Sequence, residues 1–254
     1  MHILVTNDDG VQAPGLLALA QEMRKLGNVT IFAPDRNWSA SGHVKTMERP
    51  LRVRETVLAD GTAAFTSDGA PSDCVALPLL GLVKEHIDLV VSGINPNANI
   101  GHDVTYSGTV TAAMEAVIAG VMGIAVSLDS PEGHTGLLDY STAAIVARRV
   151  AEQVIADGLP KGVVLNVNVP YLRENELNGY TITRMGLRVY RDALESRLDP
   201  RGKPYYWIGG EYPTGVDEPG TDFGALRAGC VSITPLHLDM TSYKTMDVLK
   251  SWKF

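Results

Sequence analysis

Over its first 170 residues the chain repeats one rhythm: a short apolar run, a polar loop, then apolar residues at helical spacing. Apolar runs occupy 2–6, 29–33, 88–94, 124–128 and 163–169, and helical spacing occupies 14–26, 71–83, 109–119 and 138–155. Leu16, Leu19, Ala20, Met23 and Leu26 share one helical face, with Pro14 at its start and Gly27 as the expected cap. Apolar strands joined by helices form parallel βαβ units. The rhythm therefore predicts an α/β fold, a Rossmann-like, doubly wound and mostly parallel sheet. Leu51–Val57 and Ala64–Thr66, joined through Asp60-Gly61, add a hairpin.

At about 150 residues per domain, a chain of 254 is one large unit or one unit with an appendage. After residue 171 the rhythm loosens. Residues 1–171 are expected to form the core, 172–229 an extended arm, and 230–254 a last strand, Cys230–Thr234, with a polar tail. Tyr190, Tyr205, Tyr206, Trp207 and Tyr212 gather on the arm around the turn residues Asp199, Pro200 and Gly202. Aromatic residues on a projecting hairpin fit a subunit interface better than a monomer surface.

The net charge of −7 disfavours nucleic acid and anionic membranes as partners. No run approaches the roughly 18 apolar residues of a membrane span, and no secretory leader is legible, so a soluble, cytoplasmic protein is expected. Cys74 and Cys230 form no metal or redox motif.

Ligands of open α/β sheets bind beyond the carboxyl ends of the strands. The first strand delivers Asn7-Asp8-Asp9-Gly10 there. The second delivers a loop with Asp35, Asn37, Ser39 and His43, and the strand ending at Ile94 delivers Asn95, Asn97, Asn99, His102 and Asp103. Adjacent carboxylates raise each other's pKa unless something positive lies between them, and no Lys or Arg stands near Asp8 and Asp9 in sequence. An isolated Asp-Asp-Gly reads first as a turn closed by an Asx hydrogen bond. With Ser39 and Asn95 at the same edge, the set reads as a site for Mg²⁺ or Mn²⁺, which prefer carboxylate, hydroxyl and amide oxygens.

Ser107-Gly108-Thr109 opens the helix over 109–119. Such a tripeptide is often only an N-cap. A helix N-terminus also binds phosphate without a basic residue, and glycine allows close approach. Its place directly after the asparagine-rich loop favours phosphoryl chemistry. GxSxG, GxxxxGK[ST] and GxGxxG are absent, which argues against hydrolase-elbow, P-loop and dinucleotide enzymes.

Several segments carry a resemblance. Ile3–Gly10, Ala33–Asn37, Asp73–Val75, Val91–Asn95, Asp103–Val110, Gly220–Phe223 and Val231–Leu236, in this order, are similar to the signatures of the SurE family of nucleotidases. The resemblance implies a metal-dependent phosphatase of nucleoside 5′- and 3′-monophosphates, sometimes of short polyphosphate. It implies one Mg²⁺ or Mn²⁺ per subunit at Asp8, Asp9, Ser39 and Asn95; for hydrolysis by an in-line water, Asp8 or Asp9 is the expected proton acceptor. It places phosphate at Asn99, Ser107, Gly108 and Thr109, and implies a homodimer or tetramer. Asn97 stands where the family usually has Gly; a left-handed residue there would explain why Asn is tolerated.

Two other readings compete. An acidic pair after a first strand also marks receiver-type phospho-acceptor domains, but the strand exits at Val57 and Ile94 offer no Asp. A haloacid-dehalogenase-type phosphatase needs Asp-x-Asp, and Gly10 occupies the second position.

Overall fold

The computed structural model describes residues 1–253, the side chains of residues 211 and 212 excepted. The first half contains β1 (His2–Thr6), β2 (Asn28–Pro34), β3 (Val53–Val57), β4 (Ala63–Ser67) and β5 (Leu89–Asn95). It is completed by β6 (Met122–Asp129), β7 (Val163–Pro170) and, later in the chain, β8 (Tyr180–Ile182) and β11 (Val231–His237). These nine strands form one sheet in the order β3-β4-β2-β1-β5-β6-β7-β11-β8. From β4 to β7 every neighbour is parallel, while β3 on β4 and β11 on β7 are antiparallel. The mostly parallel sheet agrees with the sequence.

Helices α1 (Pro14–Met23) and α4 (Ser141–Asp157) cover one face, and α2 (Pro71–Leu77) and α3 (Gly108–Ile118) cover the other. Leu16, Leu19 and Met23 of α1 pack with Ala143, Val146 and Val150 of α4 over Ile3, Val5 and Val91. On the opposite face Cys74 and Val75 of α2 and Ala112 and Ala116 of α3 enclose Leu4, Phe32 and Val90. Cys74 is a buried small hydrophobe, and burial, its largest influence, drives its thiol pKa upward.

Two helix ends differ from expectation. Helix α1 stops at Met23, short of Gly27. A Cβ on Gly27 would stand 2.5 Å from the carbonyl oxygen of Met1, so close packing against the start of β1 requires glycine there. Helix α2 ends at Leu77 because Pro78 has no N–H to continue the ladder, and residues 78–82 form a wider turn with Gly81 at φ 110°.

Residues 188–215 form a separate two-stranded antiparallel ribbon, β9 (Arg188–Leu198) and β10 (Pro204–Gly215). The sequence showed no strand rhythm here, and the ribbon shows why. Neither face is packed on the sheet, so neither face selects apolar residues at alternate positions. Trp207 is 62% and Ile208 85% exposed, and Tyr206, Leu194 and Leu198 are exposed with them. Tyr212 lies outside the described side chains.

Two short helices had no legible signal in the sequence. Helix α5 (Asp222–Arg227) is capped by Thr221, which accepts from the Gly224 N–H at 3.0 Å. Helix α6 (Tyr243–Leu249) lies in the polar tail.

Candidate active site

Strand β1 lies near the middle of the sheet, with β2 on one side and β5 on the other, so a crevice opens beyond their carboxyl ends. At the exit of β1, Asn7 closes a tight elbow. Its Nδ2 donates to the Gly10 carbonyl at 3.0 Å and its Oδ1 accepts from the Gly10 N–H at 3.2 Å. Gly10 has φ 103°, a conformation L side chains rarely adopt. The Val11 N–H donates to the Pro34 carbonyl and the Trp38 N–H to the Asp8 carbonyl, each at 2.8 Å, which stitches the elbow to the loop after β2.

Asp8 is 4% exposed and its carboxylate is set on the start of α3. The Thr109 hydroxyl donates to Asp8 Oδ1 at 2.5 Å, and the Gly108 and Thr109 backbone amides reach the same carboxylate. A Cβ on Gly108 would stand 2.7 Å from the Asp8 Cβ, so glycine is what lets the helix come this close. Burial raises the Asp8 carboxyl above its usual range despite these bonds. Asp9 has less help. Burial and then the Asp8 charge push it up to about 7, and its one side-chain hydrogen bond among the described residues is a long 3.5 Å donation from Asn37 Nδ2.

A cavity of about 370 Å³ opens in front of this elbow and is lined by Asp8, Ser39, Asn95, Asn99 and Ser107 among others. Five of the eight residues singled out in the sequence therefore face one space. Asp9 adjoins them on the elbow, while Gly108 and Thr109 stand behind Asp8, with the Thr109 hydroxyl committed to it.

The donor chemistry fits a hard divalent cation. Among the described residues no Lys, Arg or His forms an ion pair with Asp8 or Asp9. The pair is therefore short of positive charge. Ser39 donates its hydroxyl to Asn37 Oδ1 at 2.6 Å, which leaves its own oxygen available. Asn95 Nδ2 donates to the Asn97 carbonyl, leaving Oδ1 available. Next to Ser39, Ala40 has φ 56°, a left-handed value found at no other non-glycine residue described. Asn97 is not left-handed; it serves through its carbonyl, as the acceptor for Asn95.

The family model described as "Survival protein SurE" matches residues 3–192. The chain belongs to the SurE family. A relative from Herpetosiphon aurantiacus is 54% identical over 242 residues, covering 95% of this chain and 94% of its own. One from Chloroflexus aggregans is 48% identical over the full length of both chains. Each is named "5′-nucleotidase SurE". The crystal structure of the SurE protein from Aquifex aeolicus superposes with a TM-score of 0.83 at 39% identity, covering 98% of each chain. This membership sets the receiver-type reading aside.

Around this SurE-family site the structure adds residues that sequence reasoning missed. Asn166 and Asn168 on β7 donate to the Asn99 carbonyl at 2.8 and 3.1 Å, and Asn168 Oδ1 accepts the Asn99 N–H at 2.8 Å. Ser127 on β6 accepts from Asn99 Nδ2 at 2.8 Å. The signal was present: two asparagines at alternate positions within an otherwise apolar buried strand.

Asp222 is a second support. It is fully buried, accepting from the Gly186 and Phe223 N–H groups with Oδ1 and from the Gly101 N–H with Oδ2, at 2.7–2.8 Å. It ties the loop before α3 to the C-terminal region. His43, at the far end of the β2 loop, bonds Glu115 of α3 at 3.0 Å, beside Lys45 at 2.7 Å. For Glu115, burial opposes ionisation, but the Lys45 and His43 bonds outweigh it and hold the carboxyl below its usual range.

Proposed function

We propose that this chain is a metal-dependent 5′-nucleotidase that hydrolyses nucleoside 5′- and 3′-monophosphates, and short polyphosphate, to release phosphate. The observation that carries the reading is the cation-deficient Asp8–Asp9 elbow sharing one cavity with Asn99 and Ser107. The names of the relatives support the reaction class.

Asp8, Asp9, Ser39 and Asn95 would hold one Mg²⁺ or Mn²⁺ per subunit. Such an ion supplies charge neutralisation at a phosphoryl oxygen and a water of lowered pKa. The residues divide the remaining work. Asp8, fixed by Thr109 and the start of α3, keeps its position through turnover. Asp9 is the less committed carboxylate and takes the proton of the attacking water. The Ser107 hydroxyl accepts from the Val110 N–H at 3.1 Å, which leaves its proton to donate to an equatorial phosphoryl oxygen. Asn99 donates with its remaining amide proton, held in place by Ser127 and Asn168.

The exposed ribbon β9–β10 supports a homodimer or tetramer, with the arm packed on a partner subunit. Light scattering of the intact chain and of a chain lacking residues 191–210 tests this; equal monomeric masses exclude it.

The nucleotidase reading is tested by a turnover panel of nucleoside 5′- and 3′-monophosphates, p-nitrophenyl phosphate and polyphosphate, with and without EDTA. Phosphate release from nucleotides that EDTA abolishes and Mn²⁺ restores is expected. Full activity of metal-free protein overturns the metal assignment, and inertness toward every phosphate monoester overturns the reaction.

A further inference from the structure

The cavity in front of Asp8 has a second wall, supplied by the root of the ribbon. Arg188 and Pro213 line it together with Asn99 and Ser107. Arg188 is the one cationic side chain among the described residues that line this space. Its side chain is only 10% exposed, an unusual degree of burial for a residue at the base of a solvent-exposed hairpin.

The guanidinium is held from two sides. Nε donates to Asp103 Oδ2 at 2.7 Å and Nη1 donates to the Pro213 carbonyl at 3.0 Å. Asp103 is in turn held by the Tyr190 hydroxyl, which donates to Oδ1. Both oxygens of Asp103 are thereby occupied, which mutes its repulsion of an incoming anion. Nη2 has no hydrogen-bond partner among the described residues. A planar fork with two donors fixed and one end open is suited to one tetrahedral dianion placed against it. A residue serving only to fasten the hairpin would need the Asp103 bond and no place in the cavity wall.

We propose that Arg188 is a substrate-binding residue that grips the phosphate in this cavity opposite the Asp8–Asp9 elbow, with Asp103 and Tyr190 as its positioning pair. The inference deepens the nucleotidase reading and rests on it for the identity of the substrate. The phosphate is shared by every substrate, so Arg188 acts on all of them alike and not on the choice of base. It also gives the ribbon a part in the chemistry: the arm must be seated for the cavity to hold its cation.

The test uses the full chain with Mn²⁺ and reads KM and kcat for a nucleoside 5′-monophosphate and for p-nitrophenyl phosphate, with the inhibition constant of inorganic phosphate. Arg188→Ala is expected to raise both KM values and the phosphate inhibition constant roughly tenfold or more. Arg188→Lys is expected to recover part of the loss, and millimolar guanidinium added to Arg188→Ala to recover more. If Arg188→Ala does not fold, Arg188→Lys carries the test, with the phosphate constant expected to rise several-fold. Unchanged phosphate inhibition in the folded variant, with loss only in subunit mass or thermal midpoint, overturns the proposal and leaves Arg188 as a fastening of the hairpin. If the wild-type chain releases no phosphate from nucleotides, the nucleotidase reading falls. The Arg188 assignment is then decided by phosphate binding alone, measured by calorimetry on wild type and Arg188→Lys.

Discussion

Two of the regions that bury carboxylates treat them in opposite ways. At the junction of α5 with the 101 loop, Asp222 is fully buried and accepts three backbone N–H groups at 2.7–2.8 Å. At the exit of β1, Asp8 has Thr109 and the start of α3, while Asp9 has one contact of 3.5 Å and a carboxyl raised to about 7. Burial is costly for an ion in either place. The first region offsets the cost with donors from its own chain. The second leaves it partly unmet, and that unmet charge is what a ligand can supply. A buried carboxylate signals function by what it lacks.

The sharpest way to break this comparison is to neutralise the deficient pair. Asp8→Asn and Asp9→Asn are each expected to lower nucleotidase kcat/KM about a thousandfold, near 4 kcal/mol of transition-state stabilisation. Neither should unfold the chain. Calorimetry with Mn²⁺ checks the cause; unchanged metal affinity in both variants removes the assignment. Next in size is Asp222→Ala, which orphans three buried N–H groups and is expected to cost about 3 kcal/mol in chemical denaturation. Metal affinity of the folded fraction should stay unchanged. A stability near wild type would mean that Asp222 is not the clamp described here.

The Glu115 cluster tests an intermediate case, a buried carboxylate served by side chains. Lys45→Met is expected to cost about 1–2 kcal/mol at pH 7, because His43 alone then faces Glu115. The folded carboxyl sits below the ordinary glutamate value of 4.5, so its contribution is present above that pH and is lost as pH falls through the folded value. The gap between variant and wild type should therefore close as the pH falls from 4.5 through the lowered folded value. A gap that persists there contradicts the pairing. The smallest effect is that of Ser107→Ala, about 1 kcal/mol if only the cap to Val110 is lost. Weaker phosphate inhibition in the same variant shows the second role; unaltered inhibition leaves only the cap.

The strand exits carrying Asp8, Ser39, Asn95 and Asn99 were readable because parallel strands bury both faces and place their polar residues at one end. The Asn99 clamp was harder to read. Asn166 and Asn168 lie 67 and 69 residues away in sequence and act from the middle of a strand. Nor did local pattern place Arg188 in the cavity, since its position depends on the 3₁₀ turn Gly101–Thr105 presenting Asp103 to the ribbon. The ribbon strands escaped for the opposite reason, having no buried face to impose a pattern.

The seat of β11 has a consequence for the order in which this protein can be made. Strand β8 leaves the ribosome some fifty residues before β11, yet its place in the sheet is on the far side of β11. Until residues 231–237 emerge, β8 has no strand to pair with, and Thr183 lacks Ser232 and Thr234, whose hydroxyls lie 2.8 and 2.7 Å from its own. Helix α5, which carries the clamp on the 101 loop, has its place beside that late strand. The nascent chain can build the Asp8–Asp9 elbow early, but the loop leading to α3 is tied down by Asp222 only near the end of synthesis.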